Sequence, residues 1–155
     1  MKPEFLRVAL HEAGHAIVTE LLSGGRLTSL ALDNRGGGSY TYAGDLAPLL
    51  SLRAIVAGDA AETLVFGYPN SMGSVSGDKI DARHAIAAAL DIEILDAHLG
   101  HPLYAAAMAD AIEFLRAREP LLRNVAELLF AKRALSRAEF LAALAGYPVV
   151  AQVAA

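Results

Sequence analysis

The sequence lacks cysteine and tryptophan, and only 6% of its 155 residues are aromatic. Without cysteine, neither disulfides nor thiolate metal ligands can form, so any metal site must use histidine and carboxylate side chains. The opening residues, Met1-Lys2-Pro3-Glu4, also lack the apolar core of a signal peptide. Together these absences fit a reducing compartment, and we expect a cytoplasmic protein.

Long runs of basic or apolar residues are also missing. The formal net charge is −4 and the isoelectric point is near 5.7. The sequence also contains no run of lysine and arginine that could neutralise nucleic-acid phosphates. The longest uncharged tail, residues 140–155, is interrupted by Gly146 and Pro148, and a bilayer span needs about 20 apolar residues. The sequence therefore predicts neither a nucleic-acid partner nor a transmembrane segment.

The strongest chemical signal is His11-Glu12-Ala13-Gly14-His15. If residues 4–22 are helical, His11 and His15 lie one turn apart on the same face, where their imidazoles can share one metal ion. Two imidazoles suit Zn²⁺, and Glu12 lies close enough to act as general base toward water at the metal. This is the H-E-x-x-H pattern of zinc hydrolases, although two solvent-facing histidines on a helix would give the same letters.

The rest of the chain predicts a mainly helical α+β domain. Its length suits one domain over residues 1–155, with no room for a nucleotide-driven motor. Apolar spacing, proline, glycine and capping residues place the elements as follows: the metal helix at about 4–22, a small β element at about 26–43, helices at about 45–66 and 78–95, and a C-terminal helical segment at about 103–145. Residues 68–77 are expected to form a loop.

The β element, with strands at 27–32 and 39–42, allows two interpretations. It is either a cover over the metal helix or an edge whose unpaired backbone could align an extended peptide. Edge strands usually carry no ligand, which favours the cover on the sequence alone.

The zinc chemistry needs a third protein ligand, which the spacing of residues does not identify. The candidates beyond the first helix are six carboxylates and three imidazoles: Asp59, Glu62, Asp78, Asp81, Asp91, Glu93, His84, His98 and His101. Asp78 and Asp81 have a local argument, because a loop that feeds a helix start can aim a carboxylate into a site. Aspartate at a helix start is equally typical of capping. The histidines are more typical of surface or capping positions.

Three motifs follow one another in the sequence: His11 to Val18, Ala57 to Gly67 and Ser76 to Asp81. Together they resemble the zinc peptidase domain of the FtsH-type AAA+ membrane proteases. The run from His11 to Val18 is similar to that family's metal helix, and Ala57 to Gly67 is similar to its G-G-R-A-A-E-E-x-x-F-G helix. The run from Ser76 to Asp81 is similar to the start of its T-G-A-x-N-D-L helix. The resemblance implies a helical zinc-peptidase fold with a small sheet, in which Asp81 is the third zinc ligand beside His11 and His15.

The chain also departs from the family pattern. Asp59 stands in place of the family's arginine and Asp78 in place of its usual alanine, and the segment 95–104 is shorter than its counterpart. The ATPase ring and the membrane segments of the family have no counterpart here. A separate ATPase or adaptor is therefore an expected partner, and the oligomeric state stays open.

The sequence thus predicts a zinc metalloendopeptidase with Glu12 as catalytic base and His11, His15 and Asp81 as metal ligands. Its expected substrates are unfolded proteins or peptides, since no unfolding motor is attached. The alternative is a catalytically silent zinc-binding domain that binds a peptide or a partner protein. A helical interaction domain without any metal is a third and weaker interpretation.

Overall fold

The computed structural model describes residues 3–69 and 75–150. Within these ranges the chain is mainly helical, with a small three-stranded antiparallel sheet. The helices are α1 (Pro3–Leu21), α2 (Pro48–Phe66), α3 (Val75–Leu90), α4 (Pro102–Arg116), α5 (Glu119–Lys132) and α6 (Arg137–Ala143). The strands are β1 (Arg26–Leu32), β2 (Gly38–Ala43) and β3 (Ala134–Leu135).

Helix α1 lies at the centre of the fold, and residues 9–19 along it are all buried. It packs against α2 on one side, α5 on another and the sheet on a third. The contact with α2 is close, because Gly14 and the alanines at 57 and 61 present almost no side chain. A Cβ atom added at Gly14 would lie 2.4 Å from the carbonyl oxygen of Ala57. Small residues therefore set the distance between the two helices that carry the motifs.

The sheet packs against α1 and has the strand order β2-β1-β3. Strand β1 pairs antiparallel with β2, with Leu30 opposite Tyr40, and with β3, where Leu30 lies opposite Leu135. Leu27, Leu30 and Leu32 point into the core, as expected for a strand with one buried face. Because β1 is central, β2 is an edge strand within the described part of the chain.

The expected helical order is confirmed at the level of a mainly helical fold with a small sheet, with differences in detail. Helix α3 begins at Val75 rather than near Asp78 and ends at Leu90, where Asp91 adopts a positive φ of 54°. The sequence allows Pro120 either to kink a helix or to lie in the first turn of a new one, and the structure places it in the first turn of α5. Strand β3 was not predicted. Of the expected loop at 68–77, residues 70–74 lie outside the described ranges.

The residues Ser136-Arg137-Ala138-Glu139 predict a capping box at the start of a short last helix, and the structure confirms it. The Ser136 hydroxyl accepts a hydrogen bond from the Glu139 backbone N–H, and the Glu139 carboxylate accepts one from the Ser136 backbone N–H. Both of these backbone N–H groups at the start of α6 are thereby satisfied.

Across the described residues, no helix is both long enough and apolar enough to cross a bilayer.

Candidate metal centre

The two histidines of the motif meet at one point on the buried face of α1. The Nε2 atoms of His11 and His15 are 3.0 Å apart, and both side chains are almost fully buried, with 2% and 1% exposure. Their rings are nearly perpendicular, with centroids 4.6 Å apart. The expectation that an i, i+4 pair brings the imidazoles together is therefore confirmed.

Each imidazole is oriented by an acceptor on α2. His15 Nδ1 lies 2.8 Å from the carbonyl oxygen of Ala54, which can only accept, so this nitrogen carries the proton. His11 Nδ1 lies 2.8 Å from Glu62 Oε1, a carboxylate that is itself 3% exposed. With both Nδ1 atoms donating, the neutral tautomers turn their Nε2 lone pairs toward each other. Metal-binding histidines are typically fixed in this way.

Asp78, in the first turn of α3, completes the group. Its Oδ2 lies 3.0 Å from His11 Nε2 and 3.4 Å from His15 Nε2. Burial opposes ionisation of Asp78, but the hydrogen bonds with His11 and His15 outweigh it and hold the pKa well below its usual range. Likewise, burial opposes the charged form of His11, but its bonds with Asp78 and Glu62 prevail and raise its pKa to about 10.

The structure brings His11 and His15 together with Asp78, and it does not bring Asp81 to them. Among the described residues, His11, His15 and Asp78 have ligand atoms within 4.8 Å of one another, and Asp81 does not belong to this group. Asp81 lies one turn further along α3, is exposed, and lines the same cavity. The arrangement thus offers Asp78 as the third ligand, whereas the resemblance implies Asp81.

The spacing and charge of the three atoms are those of a group that could hold a metal ion. Two ligands of a tetrahedral zinc, each about 2.0 to 2.1 Å from the ion, are about 3.3 Å apart, and the observed separations are 3.0, 3.0 and 3.4 Å. In the neutral tautomers, two nitrogen lone pairs and one carboxylate oxygen converge without a donor between them. A positive charge, either a proton or a metal ion, must therefore lie between them.

A second group of possible ligands lies on the other side of the same imidazole. It consists of His11 Nδ1, Asp59 and Glu62. The nearer oxygen of Asp59 is 3.9 Å from His11 Nδ1. Both oxygens of Glu62 are already used, one by His11 and the other by Arg7 Nε at 2.6 Å. The Nδ1 side of His11 is therefore occupied by hydrogen bonds that hold the ring in place. Arg7 Nε and His11 Nδ1 each have their own acceptor oxygen on Glu62.

Glu12 is buried beside the candidate metal position. Its side chain is 5% exposed, and burial raises its pKa, although the neighbouring His15 and His11 act in the opposite direction. Strand β2 closes over it, since a Cβ atom added at Gly38 would lie 2.4 Å from Glu12 Cγ. A glutamate with a raised pKa and restricted access to water suits a proton acceptor working near neutral pH.

A cavity of about 370 Å³ opens onto these groups. Its walls come from α1, the start of α3 and the turn and strand from Gly36 to Tyr40. The Tyr40 ring stacks on the His15 imidazole, with centroids 4.5 Å apart and planes 14° from parallel. A second cavity of about 550 Å³ continues past Tyr40, Asp78 and Asp81 toward the start of α2. The candidate metal position therefore lies in a groove that extends beyond the ion itself.

The remaining ligand candidates lie elsewhere in the described structure. Asp91, Glu93, His98 and His101 join neither group of possible ligands, and His84 lines the second cavity. His101 caps α4 instead, because its Nδ1 accepts a hydrogen bond from the Leu103 backbone N–H at 3.2 Å. This is the capping role that the sequence allowed for it.

Sequence reasoning missed the residues that support the ligands. Glu62 was considered only as a ligand, and Arg7, Gly58 and the carbonyl of Ala54 were not considered at all. A signal did exist for Arg7, since it lies four residues before His11 and hence on the same face of α1. The acceptors on α2 carry no such signal, because they depend on how the two helices pack.

Comparison of the chain with known protein families gives no match, and comparison with curated proteins gives none either.

Proposed function

We propose that this chain is a zinc-dependent metalloendopeptidase in which His11, His15 and Asp78 hold the ion and Glu12 is the catalytic base. The observation that carries the proposal is the convergence of the two Nε2 atoms and one carboxylate oxygen at ligand spacing, directly beside a buried glutamate. The motif resemblance to the FtsH-type peptidase domain, with its mainly helical fold and small sheet, supports the same assignment.

The residues around the ion have separable tasks. When bound, zinc would polarise a peptide carbonyl and make a water molecule more acidic. Glu12 would take a proton from that water through its carboxylate and deliver it to the leaving amine. Ala54 and Glu62 keep the Nε2 atoms of the two imidazoles directed at the ion. Gly38 and the turn before it limit access of bulk water to Glu12.

The position of β2 supports an extended polypeptide as the substrate. Its Gly38 lies over Glu12 and its Tyr40 over His15, and among the described strands β2 pairs only with β1, so an edge of the sheet lies close to the site. A peptide added to this edge would be aligned by backbone hydrogen bonds, with its carbonyls passing the candidate zinc. In folded proteins the backbone groups of extended segments are mostly paired already, and we therefore expect cleavage of unfolded proteins and peptides.

The substitution Glu12→Gln tests the mechanism. It removes the proton acceptor, keeps the side-chain volume and leaves the three ligands in place. We expect zinc binding within a few-fold of the wild-type affinity and no cleavage of a flexible casein-like substrate. Equal cleavage by both forms would refute the role of Glu12. Zinc bound at one ion per chain, with no hydrolysis of any peptide library by the wild type, would favour the silent zinc-binding domain.

A matched pair of substitutions on α3 tests the ligand set. We expect Asp78→Asn to lower zinc affinity by more than about 100-fold, because it removes a ligand charge, and Asp81→Asn to change it by less than about three-fold. Both variants change one exposed or half-buried carboxylate to an amide on the same helix. The reverse result would assign the third ligand to Asp81, as the family resemblance implies.

A further inference from the structure

Arg7 lies one turn before His11 on α1, where it lines the metal cavity, and it does not belong to the ligand group. Its Nε donates to Glu62 Oε2 at 2.6 Å, and a terminal nitrogen donates to the backbone carbonyl of Tyr68. The guanidinium carbon also lies 4.8 Å from the centre of the Phe66 ring and 4.7 Å from that of Tyr68. Arg7 is thus held on several sides by the end of α2 and the residues after it.

Glu62 transmits this fixed position to His11. One carboxylate oxygen accepts from Arg7 and the other lies 2.8 Å from His11 Nδ1, so the carboxyl plane is defined at both oxygens. The side chains become progressively less exposed along the chain of contacts, from 14% for Arg7 to 3% for Glu62 and 2% for His11. Water therefore has little access to the two inner members.

The arrangement matters because His11 has possible metal partners on both ring nitrogens. Nε2 faces His15 and Asp78, whereas Nδ1 faces Asp59 and Glu62. If Glu62 could rotate, its carboxylate and that of Asp59 would compete for the ion or for the ring orientation. The bidentate use of Glu62, between a cation and an N–H group, removes that freedom.

We propose that Arg7 is a positioning residue that acts through Glu62 to keep the His11 ring with Nε2 toward the metal cavity. The inference rests on the proposed zinc site, and it adds a determinant of ion affinity outside the ligand set. Partners of this kind typically change metal affinity by about 10- to 100-fold when they are replaced.

The test measures zinc affinity by competition with a chromogenic chelator in Arg7→Gln, Arg7→Lys and the wild type. We expect Arg7→Gln to weaken zinc binding at least about 10-fold and Arg7→Lys, which keeps the positive charge, to recover part of the loss. Arg53→Gln is the matched control. Arg53 also forms an ion pair, with 2.8 Å between its guanidinium nitrogen and an Asp110 oxygen, but this pair is not part of the site. The control should bind zinc like the wild type.

Two further measurements separate positioning from simple structural support. Long-range proton–nitrogen NMR should show a single Nδ1–H tautomer for His11 in the zinc-loaded wild type and a mixed population in Arg7→Gln. Arg7→Gln and Glu62→Gln should also be strongly non-additive in zinc affinity, because they interrupt the same chain of contacts. A lower melting temperature with unchanged affinity and an unchanged tautomer would overturn the inference.

The inference and the proposed function fail in different ways. Unchanged zinc affinity in Arg7→Gln, with binding still dependent on His11 and His15, would overturn the role of Arg7 and leave the zinc site intact. A wild-type chain that binds no zinc would overturn both.

Discussion

Gly58 offers the sharpest test of the metal centre, because it lies where an added methyl group would fill the site. A Cβ atom built at this position would be 2.4 Å from His11 Nε2 and 2.5 Å from His15 Nε2. Ordinary van der Waals contact begins at 3.4 Å, so the imidazoles would have to retreat by about 1 Å. Metal–ligand distances tolerate deviations of only about 0.2 Å. Gly58→Ala should therefore abolish the ligand geometry.

The expected size of the effect follows from the displacement. A retreat of about 1 Å by two of three ligands should weaken zinc binding by at least about 100-fold, equivalent to about 2.8 kcal/mol. The fold should survive. Replacing glycine by alanine within a helix stabilises the folded state by about 1 kcal/mol, and this partly offsets the cost of overpacking, about 1 to 3 kcal/mol. Net destabilisation of the zinc-free protein should stay below about 2 kcal/mol.

Gly77→Ala is the matched control. Gly77 also lines the metal cavity and lies in a helix, but a Cβ atom there would meet nothing within 4 Å. Chelator competition should give a nearly wild-type zinc affinity for Gly77→Ala and a severe loss for Gly58→Ala, with both proteins folded by circular dichroism. A Gly58→Ala protein that binds zinc as tightly as the wild type would refute a site built from the two Nε2 atoms.

Three other predictions concern stability. Gly14→Ala should lower the free energy of unfolding by about 2 kcal/mol and the melting temperature by about 6 °C in a calorimetric scan, because its Cβ would lie 2.4 Å from the Ala57 carbonyl oxygen. Glu20→Gln should cost about 1 to 2 kcal/mol at pH 7 in urea titrations. Burial alone would raise the pKa of Glu20, but the hydrogen bonds from Arg137 and the Leu27 N–H outweigh burial and lower it. This contribution to stability is therefore fully present above the pKa of glutamate in the unfolded chain, about 4.3, and should be lost as the pH falls through the lower pKa of Glu20 in the folded protein. Zinc at a free concentration of 100 times its dissociation constant should raise the melting temperature by about 8 °C over the chelator-treated protein, and no shift would contradict the site.

The sequence predicted those parts of the molecule that depend on short-range geometry. The four-residue spacing of His11 and His15 was enough to place both imidazoles on one face, and Ser136 with Glu139 was enough to locate the start of α6. Strand β3 escaped prediction because it has only two residues and exists through its pairing with β1. Such an element has no periodic pattern of its own.

The third ligand shows where sequence reasoning reaches its limit. Asp78 and Asp81 are three residues apart on α3, so they share a face and both line the metal cavity. Periodicity cannot distinguish them, because the choice depends on the position of α3 along its axis relative to α1. The family resemblance favours Asp81, whereas the structure places the Asp78 oxygen 3.0 Å from His11 Nε2. The zinc affinities of Asp78→Asn and Asp81→Asn distinguish these two assignments.

The close approach of α1 and α2 links the stability of the fold to the candidate site. Ala54, Gly58 and Glu62 follow one another at four-residue intervals on α2, and they supply, respectively, the acceptor for His15, the space at both Nε2 atoms and the acceptor for His11. All three depend on the distance that Gly14 permits. Gly14→Ala should therefore lower zinc affinity as well as stability, whereas Glu20→Gln, which disturbs only the contact with Arg137 and β1, should lower stability alone. Equal zinc affinities in these two variants would show that the helix spacing does not control the site.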